Sequence, residues 1–335
     1  MDLLKLENEM IEKQYNNDYI AEVITYAKAI QSNGYNVIFD IKHLSLLTGI
    51  SIKELYAFYS MKENLYKEFK IPKRSGGYRK IIAPSENLKY IQRWILNNIL
   101  HKVDINPHAT GFVSSRSIVT NAVRHVGKEC VVNLDIKDFF PSITFRQVYS
   151  VFQNMGYSKY VSMFFSGFLT YRGVLPQGGP TSPILSNIVC NRLDERLANL
   201  ALHINADYTR YADDITFSGH KSVAKYIKLI KNIIQDEGFE INKKKIRVQH
   251  EYHRQMVTGL IVNEILSVPR ETKKYLRQQI YFAKKFGVSN SLRKQELEKT
   301  NYSEYLYGIA YFIKMVEKSV GETFIKELNQ VDWES

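Results

Sequence analysis

"RYADDITFSG", Arg210 to Gly219, sets two aspartates side by side between strand-like flanks. Tyr208 to Tyr211 and Ile215 to Phe217 are aromatic and β-branched, a composition that favours extended backbone. The stretch therefore predicts a strand, a tight turn carrying Asp213 and Asp214, and a second strand. Adjacent carboxylates repel, so a fold that keeps them supplies a cation, a hydrogen-bond network or open water. Upstream, "CVVNLDIKDFFPSI" (Cys130 to Ile143) is apolar through Val131, Val132 and Leu134 and then reaches Asp135. Singly, each acid has a plain reading: Asp213 and Asp214 as a solvated hairpin turn, Asp135 as the cap of a following helix. Together, three carboxylates from two neighbouring strands suit a pair of divalent cations ~3.5–4 Å apart. Hard oxygen donors suit Mg²⁺. One ion would activate an attacking hydroxyl and the other would stabilise departing pyrophosphate, which is the chemistry of nucleotidyl transfer.

The rest of the chain fits a polyanionic partner. Lys plus Arg is 46 against 34 Asp plus Glu, a formal net charge of +12, with 13% aromatic residues. That balance points to nucleic acid, with a merely basic protein as the bland alternative. Two cysteines, Cys130 and Cys190, sit in apolar stretches outside any CxxC pair, which argues against a disulfide scaffold or zinc site. "MDLLKLENEMIEKQ" does not have the build of a signal peptide, and no apolar run has the length of a membrane span. A reducing, cytoplasmic setting is the expectation.

Residues 1 to about 70 read as helical. Ile20, Val23, Ile24, Ala27 and Ile30 recur at helical spacing, and Ser51 with Glu54 forms a capping-box pattern. "YKEFKIPKRSGGYRKIIAP" alternates apolar and basic residues around a Gly turn and predicts a hairpin carrying Lys73 and Arg79. Leu88, Ile91, Ile95 and Ile99 mark an amphipathic helix. Helices follow over 145–155 and 160–169, then a Gly/Pro loop, "VLPQGGPTSPILSN", leading into a long helix. A helix is expected from Ser222 to Glu237, a strand pair in "MVTGLIVN", and helices from Pro269 onward. The fold class is α+β.

"YADD" on a hairpin, "LDIKDFFPSI" before it and "LPQGGPTSPILSN" between them resemble the catalytic core of reverse transcriptases, the bacterial branch above all. The motifs occur in the family's order over roughly residues 69–262. The resemblance implies a right-hand architecture of fingers, palm and thumb. A helical extension would occupy 1–68, the fingers 69–130, the palm 131–262 (with a fingers segment near 145–180) and a helical thumb 263–335. It implies that Asp135, Asp213 and Asp214 hold two Mg²⁺ ions. Phe140, beside Asp138 and Phe139, takes the place of an aromatic gate that excludes a ribose 2′-OH, or is simply a core ring. Gln177 and Gly178 line the incoming nucleotide or form an ordinary turn. Arg79 and Lys73 grip the triphosphate, and Lys245 in "INKKKIRV" donates a proton to pyrophosphate.

Two further strings resemble elements of the retron branch: "NAVRH" (Asn121 to His125) and "VTG" (Val257, Thr258, Gly259). Asn121 and His125, four apart, would share a helix face, there to bind RNA or to buttress the palm. This branch implies a cognate structured non-coding RNA, priming from a 2′-OH, a branched RNA–DNA product, dNTP substrates, an effector protein and anti-phage defence, with no membrane partner. Two alternatives stand beside it: an abortive-infection reverse transcriptase with another primer, and a non-catalytic RNA-binding protein of polymerase fold.

Overall fold

The computed structural model describes residues 1–72, 76–294 and 301–333. Two compact units interleave along the chain: Met1–Phe112 with Ile136–Arg196 and Ile233–Ile241, and Val113–Asp135 with Leu197–Asn232 and Asn242–Ser335.

The first unit is mainly helical. Helices Leu3–Glu12, Asn17–Ser32, Ile41–Thr48 and Ile52–Ser60 open the chain. The last begins at the expected capping box: Ser51 accepts from the Glu54 N–H, and the Glu54 carboxylate accepts from the Ser51 N–H. Strands β1 (Tyr66–Pro72) and β2 (Tyr78–Pro84) form the predicted antiparallel hairpin. Both are largely exposed along their length. Helix Glu86–Asn98 then buries Leu88, Ile91 and Ile95, the stripe read from the sequence. Its buried Gln92 donates to the Phe168 carbonyl at 2.7 Å and to the Tyr66 hydroxyl at 2.9 Å. These bonds tie the hairpin base to helix Lys159–Leu169, so a polar side chain sits inside an apolar core with its amide nitrogen paired.

In the second unit, β3 (Cys130–Asp135), β4 (Asp207–Tyr211), β5 (Asp214–Gly219) and β6 (Arg247–His250) build one antiparallel sheet in the order β4-β5-β3-β6. Register places Asp135 opposite Asp214, Asn133 opposite Thr216, and Thr209 opposite Thr216. Partners across a ladder share a face. One face thus carries Thr209, Asp214, Thr216, Ser218, Asn133 and Asp135, and the other carries Tyr208, Ile215, Phe217, Val132 and Leu134. A one-residue slip would exchange the two sets, so the apolar face fixes where the acids point.

A short ribbon of β7 (Met256–Val257) and β8 (Leu260–Ile261) follows. Helices Arg270–Phe286, Tyr302–Val316 and Lys318–Leu328 close the chain around Leu276, Ile280, Leu306, Ile313 and Phe324. Their tyrosines divide by face. Tyr302 is buried and donates to Gln279, whereas Tyr305 and Tyr311 are exposed. The helix expected from Ser222 begins instead as a 3₁₀ turn, Lys221–Tyr226, and becomes α-helical over Ile227–Asp236. The His220 side chain accepts from the Ser222 N–H, and the His220 carbonyl accepts from the Val223 N–H, which holds the tighter winding. Among the described residues no helix is long and apolar enough to cross a membrane.

Candidate active site

β4 and β5 are joined by only two residues, Ala212 and Asp213, with Tyr211 facing Asp214 across the closing pair. Ala212 holds φ +57, in the left-handed region where an L side chain is strained by roughly 1–2 kcal/mol. Arg210, fully buried on the apolar face, donates from Nη1 to the Ala212 carbonyl at 3.1 Å and so fixes this turn. The register then sets Asp214 beside Asp135, with Asp213 half-buried at the tip. The three acids singled out in the sequence are thereby drawn to one end of one sheet.

Their electrostatics show the crowding. Asp135 is buried, at 7% exposure, and the residue as a whole is exposed at Asp214. The Asp214 carboxyl is nonetheless pushed up to about 6, first by the dehydration of the group and then by the charges of Asp213 and Asp135. A cation already answers Asp135: the Lys245 ammonium lies 2.6 Å from its Oδ2. That hydrogen bond is the main cause holding the Lys245 pKa above its ordinary value. Lys245 reaches there because Asn242 donates its N–H to the Asp135 carbonyl, and its side chain caps the 3₁₀ turn Lys243–Lys245. The family resemblance implies a proton-donating role for Lys245 toward pyrophosphate; in the structure its ammonium rests on the Asp135 carboxylate.

Among the described residues no group of three or more His, Cys, Asp and Glu side chains stands arranged to hold an ion. The donor set still fits one. It consists of hard carboxylate oxygens whose mutual repulsion raises Asp214 and whose Asp135 member has drawn in an ammonium group. A divalent cation would take over that compensation once Lys245 swings aside.

The remaining candidates lie in the first unit, apart from the retron-like strings. Asp138 is exposed, holds φ +47 and makes no side-chain cap on the short helix Phe139–Ser142. The aromatic pair separates by role. Phe139 is buried against Phe239, with ring centroids 6.3 Å apart, while Phe140 is half-buried and flanked by Phe112 at 5.9 Å. Gln177 is half-buried and accepts the Ile82 N–H on its carbonyl at 2.9 Å. Gly178 has φ +138, and a Cβ there would lie 2.9 Å from both Ile81 Cγ2 and the Ile82 carbonyl. Glycine is required at 178 by the approach of β2 itself. The Gln-Gly loop and the strand bearing exposed Arg79 are thus stitched together. Lys73 lies outside the described residues.

In the second unit, Asn121, His125 and Val257 are buried, Thr258 is half-buried at φ +47, and Gly259 is exposed. His125 has no accessible surface in the structure. Sequence reasoning passed over Arg210, although it stands in the quoted motif, and over Thr209 and Ser218. A charged residue inside a strand of apolar neighbours was the available signal for Arg210. The two hydroxyls gave none without the register.

Three carboxylates at one end of an antiparallel sheet, on a chain of net charge +12, suit metal-assisted chemistry on a polyanion such as nucleic acid. The family profile described as "Reverse transcriptase (RNA-dependent DNA polymerase)" matches residues 71–286. The retron Mx162 reverse transcriptase of Myxococcus xanthus is 34% identical over 90% of this chain and 69% of its own. The retron Ec86 reverse transcriptase of Escherichia coli is 35% identical over 75% of this chain and 80% of its own. Among solved structures, telomerase from Candida albicans in complex with a telomeric RNA fragment aligns at TM-score 0.44 and 11% identity, covering 79% of this chain and 63% of that one. The chain belongs to the reverse transcriptase family and is an RNA-directed DNA polymerase of retron type.

Proposed function

We propose that this polymerase copies a cognate structured non-coding RNA into DNA, starting from a 2′-OH within that RNA and leaving a branched RNA–DNA product. The observation that carries the catalytic part is the pairing of Asp135 with Asp214 across β3 and β5, with Asp213 in the two-residue turn beside them. Asp135, Asp213 and Asp214 would hold two Mg²⁺ ions, which lower the pKa of the attacking hydroxyl and neutralise pyrophosphate as it leaves. Lys245, freed from Asp135, supplies a proton to the departing phosphate oxygen. Arg79 grips the triphosphate through its planar fork. The half-open Phe140 ring stands against the sugar and selects dNTPs, and the Gln177–Gly178 loop backs the template base. What supports these roles is the match of motif order and the stitching of the Gln177 loop to β2.

In this reading residues 69–130 act as fingers, 131–262 as palm and 263–335 as thumb, with 1–68 an added helical element. The exposed Tyr305 and Tyr311 support a duplex-tracking thumb, as does Lys285 above the Tyr281 and Phe286 rings. The product would work with an effector protein in anti-phage defence, in the cytoplasm, as the retron resemblance implies.

The test is incorporation of labelled dNTPs by protein purified with its bound RNA, with Mg²⁺ and no added primer. Debranching treatment should convert the product to free DNA. A linear product from the outset would overturn the 2′-OH start, and no Mg²⁺-dependent incorporation would overturn the assignment of the acids.

A further inference from the structure

The "NAVRH" and "VTG" strings have no part in the chemistry above, yet the structure joins them to the catalytic turn. Helix Ile118–Val123 starts from a capping box in which Ser117 Oγ accepts from the Val119 and Thr120 N–H groups and Thr120 Oγ1 accepts from the Ser117 N–H. Just past its end the chain delivers His125 onto the polar face of the sheet. The ring lies between two strands. Nδ1 is 2.6 Å from Ser218 Oγ on β5, and Nε2 is 2.7 Å from Thr209 Oγ1 on β4. All three residues are fully buried. These are the two strands that Ala212 and Asp213 connect, so the imidazole is a cross-brace between the arms of the hairpin that carries Asp213 and Asp214.

Within the helix, Asn121 Nδ2 donates to Thr258 Oγ1 at 3.4 Å, and that hydroxyl donates to the carbonyl of Ile118 at the helix start at 3.3 Å. Thr258 keeps its left-handed backbone under this hold. One short helix therefore grips the Val257–Gly259 turn with one residue and leads directly to the brace on the catalytic hairpin.

We infer that His125 is a positioning residue for DNA synthesis, setting the spacing of β4 and β5 that aims the Asp213–Asp214 turn, and that the Asn121–Thr258 contact ties this spacing to the Val257–Gly259 turn. The chemistry suits the task. A neutral imidazole has one donor and one acceptor, and each hydroxyl can take either role, so both bonds are met at once. Such bonds fix distance and direction, which apolar packing alone does not. Burial holds the ring neutral, with its pKa pushed down to about 3, so both bonds persist throughout the neutral range. A phenyl ring at 125 would fill the volume and leave two buried hydroxyls without this partner.

The inference rests on Asp213 and Asp214 being catalytic, and the experiment separates the two ideas. Full-length protein carrying its co-purified RNA is assayed for dNTP incorporation with Mg²⁺ as His125→Phe, His125→Ala, the near-isosteric pair Thr209→Val with Ser218→Ala, and Asp213→Asn. Assays run at a temperature where circular dichroism and RNA content match the unaltered protein. Misplacement of a reacting group by ~1 Å costs on the order of 10²-fold, so kcat should fall about 10- to 100-fold with KM for dNTP within about twofold. Added imidazole should restore part of kcat in His125→Ala and nothing in Thr209→Val/Ser218→Ala. His125→Phe combined with the hydroxyl pair should lose no more than either alone, because one bridge is being removed twice. Thr258→Val should lower kcat in the same direction. Unaltered kcat in folded, RNA-bound His125→Phe or in the hydroxyl pair, with Asp213→Asn inactive, overturns the positioning role and leaves the catalytic reading intact. Activity in Asp213→Asn overturns the catalytic reading beneath it.

Discussion

The antiparallel hairpins β1–β2 and β4–β5 are built on opposite principles. β1–β2 is exposed along most of its length, with Phe69, Ile71 and Tyr78 open beside Arg79 and Lys80. β4–β5 is buried on most of its residues, braced by His125 on one face and by Arg210 on the other. The first hairpin presents Arg79 to solvent and pairs Lys80 with Glu68 at 2.8 Å on its exposed surface, where water screens the charges and their geometry can give. The second holds like-charged acids at a fixed place. Repulsion there would splay a free hairpin, because an isolated two-stranded ribbon is marginal in water. The lesson is that the acidic turn is rigid because its frame is buried, whereas the basic hairpin keeps its charge available because it is not.

The largest effect expected from breaking this contrast lies at the buried turn. Asp213→Asn should lower dNTP incorporation by about a thousandfold, equivalent to ~4 kcal/mol of lost charge stabilisation in the transition state, while RNA still co-purifies. Next comes the frame. Phe217→Ala on β5 should cost about 3–5 kcal/mol in denaturant unfolding, against less than ~0.5 kcal/mol for Ile71→Ala on β1. Equal losses would show that the hairpins do not differ in the way described.

A third, smaller signature is pH dependence. His125 is held near 3 in the folded chain and returns to its ordinary value of 6.5 on unfolding. Between those values the unfolded chain binds the extra proton, so stability is fully present above 6.5 and is lost as pH falls toward 3. The slope contributed approaches about 1.4 kcal/mol per pH unit. Denaturant titrations between pH 7 and pH 4 should show this slope flattened in His125→Gln. The smallest effect is at the exposed hairpin. Arg79→Ala should raise KM for dNTP about fivefold to tenfold, roughly 1–1.4 kcal/mol of binding, with unfolding unchanged.

What the sequence made legible was local. The strand flanks of Asp213 and Asp214, the capping box at Ser51 and the stripe of Leu88, Ile91 and Ile95 all follow from spacing within a few residues. What it hid was pairing at long range. Lys245 meets Asp135 across 110 positions, and His125 meets Thr209 and Ser218 across 84 and 93. Each of these needs the sheet register before any side chain can be placed. Gly178 was read through its neighbours in the motif, but its cause lies on β2, nearly a hundred residues upstream, where Ile81 and Ile82 leave no room for a Cβ.

Ala212 carries a consequence for anyone who would re-engineer this chain as a DNA-writing tool. The residue is buried at 6% exposure, so a larger side chain has nowhere to go, and its left-handed backbone prefers no side chain at all. Glycine would release about 1 kcal/mol of strain and loosen the unfolded chain by a similar amount. The exchange would leave melting nearly unchanged while giving the turn beneath the acids more backbone freedom. If Asp213 and Asp214 carry the chemistry as proposed, dNTP incorporation, and not melting, is the measurement that would report a change at position 212.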